Sequence, residues 1–139
     1  MATFDAQQFV GKWQLSESEN FDAYLKAANV GFVARTAAKT IKSSLEFIVD
    51  GNHWKIISTS TFKTQTLEFD IGKEFEHETI DGRKMKSTFS IDNNKLVQEE
   101  KHTKSDDKDS RLERYVDSDK LIIDLECDGI KAKRVYTRA

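Results

Sequence analysis

The sequence predicts an all-β domain, built as an antiparallel sandwich or a closed barrel, with one helical interruption near its start. Proline is absent from the chain. Asp-Gly dipeptides, which tolerate the positive φ angles of tight hairpins, occur at Asp50-Gly51, Asp81-Gly82 and Asp128-Gly129. Between these and other polar turns lie about ten short runs of strand-forming residues. Their regular spacing is typical of strands that follow one another through short connections.

The strands are predicted from period-2 patterns between turn signals. The first strand runs from about Gly11 to Ser18. Nine more follow a helical segment. We expect them at about 44–50, 53–60, 64–70, 74–80, 83–91, 95–102, 110–116, 120–126 and 130–137.

The segment from about 20 to 42 changes period, is rich in alanine and lacks an Asp-Gly turn. Asn20 stands where it would cap a first helix, and Gly31 lies in a joint that allows the chain to turn back. The resulting helix pair fits over an open end of a barrel, as a lid. Apolar residues at helical spacing are Phe21, Tyr24, Leu25 and Ala28 in the first helix, and Phe32, Val33, Ala37 and Ile41 in the second.

Length and composition bound the class of protein. The chain has 139 residues, so we expect a single domain over 1–139. Its 22 basic and 24 acidic residues alternate in sign, which gives no basic footprint for nucleic acid. A single cysteine, Cys127, excludes an internal disulfide and fits a reducing compartment. No apolar signal segment begins the sequence. We therefore expect a cytoplasmic protein, with import into the nucleus left open.

Two arginines occupy strand faces that otherwise read as buried. Alternation places Arg134 and Tyr136 together with Ala132, and it places Arg114 with Leu112 and Val116. An unpaired buried cation costs about 3–5 kcal/mol, so each arginine needs an acceptor. A buried carboxylate or water could serve without any ligand. A barrel of about ten strands is wider than side chains alone can fill, so the alternative is that both arginines face a ligand cavity.

Four stretches of this sequence resemble the intracellular lipid-binding protein family, whose best-known members are the fatty-acid-binding proteins. The register of the resemblance holds from about Phe9 to Ala139. The stretches are GKWQL at 11–15 with NFDAYLK at 20–26, STFK at 60–63, DGRK at 81–84, and Arg134-Val135-Tyr136 with Arg114 twenty positions earlier.

The resemblance implies a ten-stranded, antiparallel, up-and-down β-barrel of the lipocalin-like (calycin) type, slightly open, with a helix-turn-helix lid. It also implies a non-enzymatic, cytosolic carrier of long-chain fatty acids. Arg114, Arg134 and Tyr136 would bind the ligand carboxylate, since a guanidinium can donate two parallel hydrogen bonds to it. Family members that carry retinoids usually have glutamine in place of one arginine, so two arginines favour a fatty acid.

Glu100 stands where the family more often has a neutral polar residue. We expect it to face inward near Arg114, where its carboxylate could neutralise that guanidinium. The head group would then rest mostly on Arg134 and Tyr136. The alternative is that Glu100 faces water.

The resemblance also assigns two portal turns. Phe62, with Lys63, lies in one of them and would close over the ligand tail, while Asp81 lies in the facing turn. An aromatic that only covers an exposed core edge is the alternative for Phe62. Further residues are expected to line the cavity, although each would also suit an ordinary core: Phe21, Ile56, Ser58, Ser60, Ile123 and Leu125.

The lid helices carry several cations. Arg35, Lys39 and Lys42 fall at helical spacing on the side away from the apolar residues. This face either contacts anionic membranes during fatty-acid transfer or is simply solvated. We expect a monomer.

Two other function classes stay open at this stage. The nearer one is a carrier of another hydrophobic anion, such as a retinoid or a bile acid. The distant one is a lipid-modifying enzyme, but no catalytic constellation is present. His53, His77 and His102 lack metal-ligand spacing, so neither a metal nor another cofactor is expected. Cys127 has no companion motif that would indicate a reactive thiol.

Overall fold

The computed structural model describes residues 5–40, 42–60, 64–79 and 82–139. Ten strands and two α-helices make up the fold, and all ten strands join one antiparallel sheet. The strands are β1 (Gly11–Glu19), β2 (Ser43–Asp50), β3 (His53–Ser60), β4 (Thr64–Asp70), β5 (Phe75–Glu78), β6 (Lys84–Asp92), β7 (Lys95–His102), β8 (Ser110–Asp117), β9 (Lys120–Cys127) and β10 (Ile130–Arg138).

The sheet closes on itself into a nearly complete barrel. Strands that follow one another pair as neighbours from β1 to β4 and from β5 to β10, and β1 pairs with β10. The strand order therefore begins at β4 and ends at β5. This confirms the predicted up-and-down barrel and excludes the sandwich. The predicted strand bounds agree closely with the observed ones because Asp-Gly and Asn-rich turns separate most hairpins.

Three short helical elements precede β2. A 3₁₀ turn at Ala6–Gln8 was not predicted from the sequence; the Asp5 side chain caps it by accepting a hydrogen bond from the Gln7 backbone N–H. The two α-helices are α1 (Phe21–Ala27) and α2 (Phe32–Thr40), as predicted.

The predicted capping role of Asn20 is wrong. Asn20 lies in the left-handed region at φ 59°, and its side chain makes no capping hydrogen bond. Its amide instead donates to the Lys131 carbonyl at 2.8 Å. Asn20 therefore fastens the start of the lid to β10.

The orientation predicted for α2 is also wrong. Phe32 and Val33, expected on its inward face, are 71% and 82% exposed. Arg35 was expected on an outward basic face that either contacts membranes or is solvated. It instead turns inward, where Nη1 donates to the Val30 carbonyl at 2.9 Å and Nε lies 3.4 Å from Asp22 Oδ1. A hydrogen bond to a local carbonyl and an ion pair with a carboxylate on α1 hold this guanidinium inward, so tertiary contacts override the sequence pattern.

Aromatic rings fill the interior beside β2, β3 and β4. Phe9, Phe47, Trp54 and Phe69 are buried, with ring centroids of contacting pairs between 5.6 and 6.5 Å apart. Phe69 also stacks on Phe89 of β6, with centroids 3.8 Å apart. Such offset and edge contacts add to the free energy gained from burying the rings. This cluster forms the packed part of the core.

Side chains, not a backbone ladder, bridge the two edge strands in the parts that the structure describes. Phe69 of β4 stacks on Phe75 of β5, with centroids 5.6 Å apart. The Gln65 side-chain amide donates to the Glu78 carbonyl. The barrel is therefore closed between β4 and β5 by packing and by a side-chain hydrogen bond.

Candidate ligand-binding site

Strand register brings the two arginines into one row across the barrel wall. Arg114 of β8 and Arg134 of β10 both lie opposite Ile123 of β9. Neighbouring strands are about 4.8 Å apart, which places the two arginine Cα atoms roughly 10 Å from each other. Tyr136 lies two residues beyond Arg134, on the same face, opposite Leu121. All three predicted head-group residues therefore share the inner surface of β8–β10.

Burial leaves the two guanidinium groups short of hydrogen-bond acceptors. Arg114 is 7% exposed, and its Nε and Nη1 have no hydrogen-bond partner. The Nε of Arg134 is also buried without a partner. The desolvated Arg114 guanidinium has its pKa lowered to about 10, against the raising effect of Tyr136, Glu100 and Tyr24. Arg114 thus remains a cation at neutral pH and presents unused donors to the interior.

The lid covers Arg134. The ring of Phe21, the first residue of α1, lies 4.0 Å from the Arg134 guanidinium carbon, measured to the ring centroid. The Tyr136 ring lies 5.9 Å from the same carbon. These cation–π contacts hold the guanidinium plane between a lid residue and a wall residue. Phe21, predicted as a cavity-lining residue, is therefore placed directly over the head-group site.

Glu100 is buried, with 8% exposure, and lies on β7, the strand next to that of Arg114. Arg114 on β8 faces Leu96 on β7, whereas Glu100 on β7 faces Ser110 on β8. The offset of four residues corresponds to about 13 Å along the sheet. The Glu100 carboxylate contacts His77, with Oε2 3.7 Å from Nε2. Nε and Nη1 of Arg114 have no hydrogen-bond partner, so Glu100 does not hydrogen-bond to either nitrogen, although its charge raises the pKa of Arg114.

The other predicted lining residues fall into three groups. Ile56, Ile123 and Leu125 are buried, with exposures of 2%, 5% and 6%. Ser58 and Ser60 on β3 are half-buried. The portal residues Phe62, Lys63 and Asp81 lie outside the described residues.

Sequence reasoning missed a second polar group, on the inner surface of β5, β6 and β7. His77 Nε2 lies 2.7 Å from Ser87 Oγ, and the Gln98 amide nitrogen donates to the same hydroxyl at 3.0 Å. Ser87 is fully buried and Gln98 is 2% exposed. A signal was present: Gln98 alternates with Leu96 on an inward strand face, and Ser87 alternates with Phe89. The contact of His77 could not be predicted, because its partner Ser87 lies on another strand.

The Cys127 thiol, whose reactivity the sequence left open, is buried at 1% exposure. Burial raises its pKa, so the nucleophilic thiolate is disfavoured. Among the described residues, no cluster of three or more histidine, cysteine or acidic side chains could hold a metal ion. In the same parts of the chain, no helix combines the length and apolar character needed to cross a membrane.

Comparison of the sequence with known families gives one full-length match. The profile of the lipocalin / cytosolic fatty-acid binding protein family matches residues 10–139. Among curated relatives, fatty acid-binding protein homolog 5 of Caenorhabditis elegans is 46% identical over 133 residues, which cover 96% of this chain and 98% of the relative.

Solved structures agree with the sequence comparison. A structure described as the REP1-NXSQ fatty acid transporter superimposes with a TM-score of 0.90 at 40% identity, covering 96% of this chain and 98% of that chain. The Schistosoma mansoni fatty acid binding protein, solved in complex with arachidonic acid, superimposes with a TM-score of 0.89 at 33% identity. That match covers 95% of this chain and 96% of the other.

Proposed function

Because the chain belongs to the lipocalin / cytosolic fatty-acid binding protein family, and is thus a lipid carrier and not an enzyme, we propose that its cargo is a long-chain fatty acid. The carboxylate is bound by Arg114, Arg134 and Tyr136, and the alkyl chain lies in the barrel interior. The observation that carries this proposal is the set of buried guanidinium nitrogens without acceptors. A carboxylate supplies two acceptor oxygens and a negative charge at that point.

The alkyl chain provides most of the affinity in this proposal. Burial of each methylene contributes about 0.8 kcal/mol, so a sixteen-carbon chain gains of order 12 kcal/mol before costs. Immobilising the ligand and desolvating its head group offset several kcal/mol of this gain. The arginines and the tyrosine therefore mainly select the head group and fix which end of the ligand they bind.

The head-group assignment is tested with Arg134→Gln and a matched pair of ligands, a fatty acid and the alcohol of the same chain length. Charge-assisted hydrogen bonds contribute about 1.5–3 kcal/mol each, so we expect fatty-acid affinity to fall at least about tenfold. Affinity for the alcohol should stay nearly constant. Competition titration against a fluorescent fatty acid measures both values.

Arg111→Gln is the control for this experiment. Arg111 lies on the same strand as Arg114 but outside the barrel, with Nη1 3.0 Å from Glu99 Oε1. This variant should bind both ligands as the wild type does. Undiminished preference for the acid in Arg134→Gln would exclude the assignment. Retinoic acid and a bile acid, added as competitors, separate the alternative anionic cargoes, and mass spectrometry of the co-purified lipid identifies the natural one.

We also propose that the lid delivers the fatty acid to anionic membranes. The residues that support this are the ones exposed on and after α2, not the basic face expected from the sequence. The outward side of α2 exposes Phe32 and Val33, and exposed Lys42 follows the helix. Val33→Ser and Lys42→Glu should each slow fatty-acid transfer to anionic vesicles without changing affinity, as stopped-flow fluorescence measures. Transfer rates equal to that of the wild type would exclude delivery through the lid. Arg35→Glu is unsuitable as a test because it breaks the contact with Val30.

We propose that the protein is a monomer located in the cytoplasm. Sedimentation tests the oligomeric state, and imaging tests the location and also reports nuclear import.

A further inference from the structure

The polar group formed by His77, Ser87 and Gln98 lies inside the barrel but away from the arginines. Gln98 faces Phe89 across β6–β7, and Ser87 faces Glu100, so these residues point to the interior with their buried neighbours. The His77 side chain is 8% exposed. A polar patch of this kind is costly in a core, and its hydrogen bonds join three neighbouring strands through Ser87.

The patch has unused hydrogen-bonding capacity. The Gln98 side-chain oxygen and His77 Nδ1 are buried and have no hydrogen-bond partner. The amide of Gln98 is orientated by its donation to Ser87, which leaves its oxygen as an acceptor in the interior. An acceptor of this kind is satisfied by an N–H or O–H donor from a bound molecule.

A second carboxylate is disfavoured at the patch because the Glu100 carboxylate already lies beside His77. Burial lowers the pKa of His77, an effect to which Arg83 adds, while the Glu78 backbone acts in the opposite direction. The imidazole is therefore uncharged at neutral pH. The Glu100 carboxylate lies 3.7 Å from the imidazole, so the patch offers carboxylate and amide oxygens as acceptors. It suits an uncharged donor such as an alcohol.

The patch also lies at a defined offset from the head-group site. Leu96 faces Arg114, and Gln98 lies two residues further along β7, a displacement of about 7 Å. The Phe89 ring, opposite Gln98, packs 5.4 Å from the Arg114 guanidinium carbon. A ligand whose carboxylate contacts Arg114 would thus pass an aromatic surface before it meets the Gln98 oxygen.

We propose that Gln98 accepts a hydrogen bond from a hydroxyl group within the alkyl chain of the cargo, so that the protein prefers hydroxylated fatty acids. This inference rests on the proposed function, since the carboxylate end must be held by the arginines for the hydroxyl group to reach Gln98.

The test compares three fatty acids of equal length: unsubstituted, with a mid-chain hydroxyl group, and with a ketone at the same carbon. A net hydrogen bond corresponds to a change of about fivefold, so the hydroxy acid should bind about fivefold more tightly than the unsubstituted acid. The keto acid should gain nothing, because a ketone cannot donate to an amide oxygen. Equal affinities for the hydroxy and keto acids would overturn the proposal.

Gln98→Leu and Gln98→Met should abolish the preference for the hydroxy acid while retaining the unsubstituted acid. The matched control is Gln14→Leu, which removes a half-buried glutamine of β1 that donates to the Ser43 carbonyl at 3.2 Å. This control should keep the preference. If both Gln98 variants fail to fold, moving the hydroxyl group along the chain in wild-type titrations decides: a preference that peaks at one internal carbon supports the proposal, and a flat profile overturns it.

Arg134→Gln distinguishes the hydroxyl preference at Gln98 from the binding of fatty acids in general. It should weaken all three acids by a similar factor and leave their ratio unchanged. Absence of the hydroxyl preference in the wild-type protein, together with normal binding of the unsubstituted acid, refutes only the role of Gln98. Failure of the wild type to bind any of these acids refutes the proposed function itself.

Discussion

Strands β2–β4 fill their side of the barrel with packed aromatic rings, whereas β7–β10 place two guanidinium groups, an amide and a phenol on the inner surface. Trp54 and Phe69 on the aromatic side are 2% and 3% exposed and lie in ring-to-ring contact. Arg114 and Gln98 on the polar side are equally buried but retain atoms without hydrogen-bond partners. The aromatic side stabilises the fold by burying rings, whereas the polar side lowers stability because it buries polar atoms without hydrogen-bond partners.

The largest effect is expected on the aromatic side. Trp54→Ala removes a ring that contacts Phe9, Phe47 and Phe69. Truncation of a buried aromatic to alanine costs about 3–5 kcal/mol, so the free energy of unfolding should fall by that amount. Urea denaturation of the ligand-free protein measures it. A loss of unfolding free energy below about 1 kcal/mol would show that the aromatic side does not stabilise the fold as stated.

An opposite change is expected on the polar side. Arg114→Met should raise the free energy of unfolding of the ligand-free protein by about 2 kcal/mol, because it removes an unpaired buried charge. Fatty-acid affinity should fall in the same variant. Paired urea denaturation and ligand titration test this, with Arg111→Met as the control on the outer face. Destabilisation by Arg114→Met would show that the guanidinium is already satisfied in the unliganded protein.

The smallest effect is a pH dependence at the outer surface of the aromatic side. His53 lies between Glu68 and Asp70, with Nε2 2.7 Å from Glu68 Oε2 and Nδ1 2.8 Å from Asp70 Oδ1. Hydrogen bonding to Glu68 and then to Asp70 raises the pKa of His53. A group with a raised pKa stabilises the folded state fully below its unfolded pKa of about 6.5 and loses that contribution as pH rises through the folded pKa.

His53→Gln should therefore flatten the decline in stability between about pH 6 and about pH 8. The effect is small because these side chains are exposed and screened by solvent. Thermal denaturation across this pH range, with wild type in parallel, gives the slope. An identical slope in the two proteins would mean that the His53 contacts do not persist in solution.

Most of the fold was predictable because its signals are local. Asp50-Gly51 and Asp128-Gly129 separate hairpins whose strands the period-2 pattern already marks. The same alternation predicted inward positions for Arg114 and Tyr136, which the structure shows as buried. The roles of these residues in ligand binding remain proposals.

The features that sequence reasoning missed depend on contacts between distant segments. Arg35 reads as a surface cation until Val30 and Asp22 are placed beside it. Gln98, Ser87 and His77 come from three strands, so their shared hydrogen bonds are invisible in any single strand. Which face of a short helix is buried, and which polar side chains meet inside a barrel, are decided by tertiary packing.

The junction between β4 and β5 has a mechanical consequence. Elsewhere around the wall, widening the barrel would stretch rows of backbone hydrogen bonds. At this junction, in the described residues, the stacked rings of Phe69 and Phe75 and the hydrogen bond from the Gln65 side chain to the Glu78 carbonyl hold the edges together. Widening the barrel along this one seam would break no backbone ladder in the described residues, whereas each of the other nine strand junctions is held by one.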